Sequence, residues 1–342
     1  MHRRRFLQTT LAGTLLASDS SLLAVDTLQG QIVTVTGAVA SAKLGTVLPH
    51  EHVLVDFIGA DKVSPDRYNA DDVYDAVLPN LQQLRKAGCQ SFVDCTPAYL
   101  ARDPLLLKRL SQGSGLQILT NTGYYGAREG KYLPKQAFDE TAAQLAQRWL
   151  LEWTEGIEGT GIRPGFIKIG VDGGRLTDVN RKLVRAAARA HLQSGLTIAC
   201  HTGDGMAAME EMEILREEGV DPSAWIWVHA QNERDRRLHV QAASRGGWVE
   251  LDGVGPDAID RHVELVSHLK QHGMLGRVLI SQDAGWYWVG EPGGGKFRSY
   301  TTLFEQFLPA LKIAGLSDNE IQRLTIDNPA EAFTVRVRRK GR

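Results

Sequence analysis

Four histidines, one lysine and one aspartate stand where apolar runs end. His50 and His52 sit two apart in "GTVLPHEHVLV" (45–55), and Lys168 ends "GFIK". His201 ends "TIACH", His229 ends "WIWVH", and Asp283 ends "RVLISQD". Residues two apart on a strand face the same way, so His50 and His52 form one pincer. Glu51 points the other way, into the helix layer or against the back of the ligands. Imidazole and carboxylate donors suit zinc, or sometimes manganese, iron or cobalt. An ammonium cannot bind metal, but a desolvated lysine loses its proton easily. The neutral amine can add carbon dioxide, and the resulting carbamate can bridge two metals. Two metals roughly 3.5–4 Å apart hold a hydroxide between them and polarise a substrate. No single element is specific: a lone strand-end histidine is ordinarily a hydrogen-bonded core residue, and a lone lysine reaches for solvent or a carboxylate. The weight lies in the coincidence. The other histidines, His2, His191, His239, His262, His268 and His272, fall in the N-terminal tail or in helical stretches and read as surface residues.

The elements that must position these groups are legible as apolar runs. Besides those above they are "SFVDCT" (91–96), "LQILTNTG" (116–123) and "GWVELDG" (247–253). Amphipathic stretches lie between them, such as "DVYDAVLPNLQQLRKAG", "NRKLVRAAARAHLQSG" and "DRHVELVSHLKQHG". These end in Gly88, Gly195 and Gly273, the residue type that closes helices. Near the C-terminus, in "TIDNPAEAF", Asp327 or Asn328 is placed to cap a helix with Pro329 in its first turn. Strand alternating with helix, eight times over, predicts an α/β fold of (β/α)8 barrel type, in which chemistry gathers at the C-terminal ends of the strands. A doubly wound open sheet would want a glycine-rich first turn, and none follows the first strand. No linker interrupts residues 30–335, so residues 27–342 form one domain. One feature fits badly. Trp225 and Trp227 share parity with His229, which would crowd three rings into a small barrel. Cys200 has the opposite parity to His201 and should face the helices.

The 342 residues carry 39 basic and 40 acidic side chains, a balance that argues against a nucleic-acid or polybasic membrane binder. Cys89, Cys95 and Cys200 form no C-x-x-C pair and read as buried free thiols. The opening "MHRRRFLQTTLAGTLLAS" places Arg3, Arg4 and Arg5 before a mild apolar stretch. It resembles a twin-arginine export signal, expected over residues 1–26, with a periplasmic or exported product. The stretch is too short to span a bilayer. A disordered basic tail is the alternative, and no A-x-A cleavage site precedes Val25.

Taken together, "LPHEH", "FVDCTP", "TNTGYY", "GFIKIG", "LTIACHT", "WVHAQ", "WVELDGVG", "VLISQDA" and "TIDNPAEAF" resemble the phosphotriesterase family of the amidohydrolase superfamily. The likeness runs over nearly all of the chain after residue 30. It implies two divalent metal ions, zinc foremost. His50, His52 and Asp283 would hold one, His201 and His229 the other, and Lys168, carbamylated, would bridge them. It implies hydrolysis of a small-molecule substrate by a metal-bridging hydroxide, with Asp283 taking the proton, and a homodimer. Organophosphate-hydrolysing members carry a histidine after the "L-D" of the seventh strand, and lactonase-like members an arginine; this chain has Gly253. Gln231 and Asn232 stand where a proton relay would be expected. Tyr125 resembles the tyrosine that lactonase-like members set near the bridging water; alternatively Tyr124 and Tyr125 pack the rim. Carboxylic esters or lactones are therefore the expected substrates, with phosphotriesters second and a non-catalytic binding scaffold the competing class. In "AGWYWVGEPGGGKFRSY", Trp286, Tyr287 and Trp288 could wall an apolar pocket, and the glycines suggest a mobile loop or lid. Lys296 or Arg298 could meet a substrate anion or be a solvated loop charge. "GEPGGGKF" is not a P-loop, because Phe297 replaces the required hydroxyl.

Overall fold

The computed structural model describes residues 28–341. The export signal expected over residues 1–26, and His2 within it, lie outside the described residues.

Eight parallel strands close into a barrel. They are β3 (Val47–Val55), β4 (Ser91–Asp94), β5 (Gln117–Leu119) continued by β6 (Asn121–Thr122), β7 (Phe166–Val171), β8 (Ile198–Thr202), β9 (Trp225–Val228), β10 (Trp248–Leu251) and β11 (Val278–Ile280). Each pairs in parallel with its neighbour. Closure is made after β11, where Asp283 N donates to His50 O (3.1 Å) and His52 N to Ala284 O (3.1 Å). A further strand, β12 (Gly285–Trp288), then pairs with β3. The segment expected as a loop thus begins as a strand. Ahead of the barrel lies an antiparallel hairpin, β1 (Gln31–Thr34) and β2 (Gly37–Ala40), which the apolar-run reading did not separate.

The helices are α1 (Ala70–Lys86), α2 (Pro104–Ser114), α3 (Lys135–Asp139), α4 (Ala142–Glu155), α5 (Asp178–Ser194), α6 (Gly205–Glu217), α7 (Arg236–Ser244), α8 (Ile259–Gln271), α9 (Leu308–Ile313), α10 (Asp318–Gln322) and α11 (Asn328–Phe333). Local chemistry sets their ends. Thr141 opens α4 with a capping box, and Gly195 closes α5 at φ +78°. Near the C-terminus Pro329 lies in the first turn of α11 as expected, but Asp327 makes no side-chain cap. Asn328 caps nothing, because the chain enters α11 already helical; its Nδ2 donates instead to Leu275 O and Val278 O at 2.9 and 2.7 Å.

The core has two parts. The larger lies between sheet and helices. The smaller fills the barrel floor with Val47, Val93, Leu119, Phe166, Ile226 and Leu279, sealed by Ile32 of the hairpin and Phe333 of α11. This apolar plug leaves only the C-terminal ends of the strands for polar groups. Trp225 and Trp227 belong to the larger core and Ile226 and Val228 to the smaller, so the tryptophans face the helices and the crowding disappears. His191, His239 and His262 are buried, contrary to the expected surface positions. Each lies on the core face of its helix, with a ring nitrogen 2.7–2.8 Å from a backbone carbonyl.

Candidate metal centre

On β3 the register against β4 shifts between Leu48 and Glu51, so Val47 faces the plug and His50 and His52 still face the barrel centre. His52 Nε2 lies 3.2 Å and His50 Nε2 3.8 Å from Asp283 Oδ1. These three residues can offer ligand atoms within 4.8 Å of one another. Asp283 has φ +48°, a backbone region disfavoured for residues with side chains, and Glu51 holds it there. Glu51 is fully buried. Its Oε1 accepts from Ser281 Oγ (2.8 Å) and Gln282 N (3.0 Å), and its Oε2 from Ala284 N (2.7 Å). Burial pushes the Glu51 carboxyl up to about 8 despite these donors. Behind His52, Thr96 Oγ1 donates to Leu54 O (3.1 Å) and so accepts from His52 Nδ1 (2.8 Å), leaving Nε2 free for a metal.

His229 follows the last residue of β9 in the left-handed region, φ +64°, which turns its ring inward against the strand's alternation. Asp252, just past β10, enforces this. Its carboxylate accepts from His229 N (2.9 Å) and His229 Nδ1 (2.7 Å), lies 3.1 Å from His50 Nδ1, and accepts from Gln231 Nε2 (2.7 Å). One buried carboxylate therefore orients two imidazoles so that both Nε2 atoms face the centre. Burial raises the Asp252 carboxyl, but the two imidazoles outweigh it and hold it well below the usual range. His201 completes the ring, its centroid 4.4 Å from that of His229. Burial first, and then the neighbouring His229 and Lys168, keep His201 well below the ordinary histidine value, so it is a neutral donor.

Lys168 is 2% exposed, and its Nζ is buried with no hydrogen-bond partner among the described residues. An isolated buried ammonium is strongly disfavoured, so this atom fits a modified or metal-facing lysine better than a free cation. Glu250, also inward, places Oε2 3.2 Å from His50 Nδ1, and burial and Asp252 push its carboxyl well up. His50, His52, Lys168, His201, His229 and Asp283 all line one cavity of about 530 Å³, shared with Tyr125, Trp286 and Trp288.

A sequence profile of the Phosphotriesterase family matches residues 30–333. This chain belongs to the phosphotriesterase family. The phosphotriesterase homology protein of Escherichia coli K12 is 26% identical, covering 84% of this chain and 98% of its own. An aryldialkylphosphatase of Saccharolobus solfataricus is also 26% identical, covering 87% and 97%. A mutant PTE-like lactonase from Deinococcus radiodurans superposes with a TM-score of 0.79 at 30% identity, covering 88% and 99%. The phosphotriesterase family is one of metal-dependent hydrolases, and the His and Asp groups of the rim could hold metal.

The walls of this phosphotriesterase-family site depart from expectation in places. Tyr125 lies in the cavity, its ring 4.9 Å from His201 and packed on Gly170, where a Cβ would come within 2.7 Å of that ring. Tyr124 packs outward on Tyr99 and Trp149. Trp286 and Trp288 line the cavity; Tyr287 turns away and packs on the larger core. Arg298 is not among the lining residues. Its guanidinium donates to Asp283 O and lies 4.3 Å over the Trp286 ring, while Lys296 is exposed. At Gly253 a Cβ would meet Gln231 Nε2 at 2.9 Å. Gln231 is thus a strut for Asp252, filling the corner beside Gly253. Asp252 and Thr96 were not read from the sequence as site residues; of the two positions expected for Glu51, the one behind the ligands is the one found. The alternation of Trp248, Glu250 and Asp252 on one strand face was the available signal.

Proposed function

We propose that the protein is a binuclear-metal hydrolase of carboxylic esters or lactones. His50, His52 and Asp283 would hold one divalent ion and His201 and His229 the other, with Lys168, as a carbamate, a shared ligand. The supporting observation is the Lys168 Nζ, buried and unpartnered at the centre of five other ligand-type side chains. When bound, the metal pair supplies a hydroxide at neutral pH and polarises the substrate oxygen. The chain's own residues do the rest. Burial raises the Asp283 carboxyl, but the neighbouring His52, His50 and His229 imidazoles outweigh it and hold Asp283 ionised, well below the usual carboxylate range. Its Oδ1, next to His52 Nε2, takes the proton released as the nucleophile adds. Burial keeps the Tyr125 hydroxyl protonated, so it faces the cavity as a neutral donor to a substrate oxygen. Trp286 and Trp288 exclude water and bind the apolar part of the substrate.

Support for a carbonyl rather than a phosphorus electrophile comes from the likeness to a PTE-like lactonase and from Tyr125, which faces the cavity beside His201. The aryldialkylphosphatase relative supports phosphotriester hydrolysis as the second reading. A panel of γ- and δ-lactones, aryl esters and a dialkyl aryl phosphate tests the order. Lactone or ester turnover should exceed triester turnover, and faster triester turnover reverses it. Asp283→Asn should lower turnover about 10²–10⁴-fold with an unchanged circular-dichroism spectrum; retained turnover removes its role as proton acceptor.

A further inference from the structure

The loop between β6 and α3 holds an unusual conformation over the cavity mouth. Arg128, Glu129 and Gly130 are three successive left-handed residues, with φ +61°, +58° and +73°. Two of them carry side chains that disfavour this region. The conformation is fastened from below. Asp172, just past β7, accepts from Arg128 N at 2.7 Å and Glu129 N at 3.0 Å. It is fastened from the side as well, where Lys131 Nζ donates to Phe57 O (2.6 Å) and Ala60 N to Lys131 O (3.1 Å). Backbone strain that the surroundings hold in place clusters at ligand-binding and active-site positions.

This loop delivers two cations. Arg128 and Lys131 are exposed and line the cavity, and neither forms an ion pair among the described residues. The other arginine of the region, Arg298, is engaged with Asp283 O and Trp286. Asp283 is the one carboxylate among the lining residues, and it lies at the floor beside the histidines. Between floor and mouth the wall is aromatic: Phe57 stands 6.0 Å from Trp286 and 5.3 Å from Trp288, edge to face. A ligand spanning the cavity would meet electrophile-activating groups at one end, apolar rings along its length and, at the other, two cations without a carboxylate partner among the described residues: Arg128, and Lys131, whose Nζ donates to Phe57 O and lies 5.2 Å over the Tyr132 ring.

We infer that the substrate carries an anionic oxyacid group remote from the scissile bond, bound at the mouth by Arg128 and Lys131. The inference rests on the ester or lactone reading for the bond that breaks. Arg128 offers a planar fork suited to a carboxylate, and Lys131 a point charge beside it. The apolar rings select a short aliphatic spacer between acid and carbonyl. Neutral esters of the same length lack the group that pairs these cations.

The test separates binding from chemistry. Calorimetry on the purified full-length enzyme compares glutaric acid monoanilide with valeranilide, which has the same length and no acid. The acid should bind about ten- to a hundred-fold more tightly, and added salt should shrink the advantage. Arg128→Asn keeps a residue tolerant of the left-handed backbone and should remove most of the advantage. Arg128→Lys should retain part of it, and Lys131→Ala should lose a smaller share. Equal binding of the two compounds, no binding of the acid, or an advantage that survives Arg128→Asn combined with Lys131→Ala overturns the inference. The phenyl esters of the same two acids then test the reaction. If neither is hydrolysed while the binding difference holds, the ester reading fails and the anion subsite stands. If both are hydrolysed alike by wild type, the ester reading stands and the subsite fails.

Discussion

At the scale of single residues, the groups behind the ligands decide what the ligands can do. His50 and His229 share one carboxylate, Asp252, and His52 leans on Thr96. Asp252→Asn replaces an oxygen that accepts from a ring N–H with an amide group that cannot serve both imidazoles. Metal affinity should fall about 10–100-fold, measured by competition against a chromogenic chelator; unchanged affinity would mean that the histidines orient themselves. The convergence of six ligand-type residues on one cavity was legible in the sequence because each falls in or at the end of an apolar run. Asp252 was not, because a buried carboxylate that accepts from N–H groups looks in sequence like any other acid. Glu51 was placed opposite the pincer by strand alternation, and that much held. Its contacts with Ser281, Gln282 and Ala284 join residues about 230 positions apart, which no local pattern reports.

At the scale of elements, all eight apolar runs became barrel strands because a parallel strand buried on both faces needs a continuous apolar stretch. Alternation failed where the backbone left the strand. His229 turns inward through its left-handed conformation, so parity counted back from His229 gave the wrong face for the tryptophans. The turn after β10 is equally specific. Gly253 lies against a Gln231 side chain already fixed by two hydrogen bonds with Asp252. Gly253→Arg, which installs the residue of the lactonase-like members, should destabilise the fold by about 1–3 kcal/mol, read by urea denaturation, and should not raise lactone turnover. A stable variant with higher turnover would show that Gln231 yields freely and that this corner is open to substrate. The hairpin of β1 and β2 escaped the apolar-run reading because β2, Gly-Ala-Val-Ala, is almost wholly exposed and carries no continuous buried apolar stretch.

At the scale of the whole molecule, the apolar plug at one end and the polar ring at the other make the barrel's stability and its chemistry separable. Glu211 on α6 shows this. It is fully buried in the helix layer, accepting from Trp225 Nε1 and Thr202 Oγ1 at 2.8 and 2.9 Å, and burial pushes its carboxyl up to about 7. A carboxyl raised above its unfolded value binds more protons in the native state, so stability falls as pH rises from about 4.5 to about 7 and is flat above. Glu211→Gln removes that dependence. Its amide can still accept from Trp225 and donate to Thr202, whose hydroxyl also has Cys200 O at 2.9 Å. The variant should gain on the order of 2 kcal/mol relative to wild type between pH 5 and pH 8, measured by denaturant unfolding at both values. A constant difference across that range would mean that Glu211 is ionised throughout.

The central claim, that six side chains hold two metals with Lys168 between them, is tested most directly by metal content. Plasma mass spectrometry of the purified protein should give about two divalent ions per chain, as expected of a two-metal site. Lys168→Ala should lose most of that metal and regain part of it with added short-chain carboxylates. A chain that binds no metal after incubation with zinc and bicarbonate, or a Lys168→Ala variant that keeps both ions without rescue, would contradict the claim.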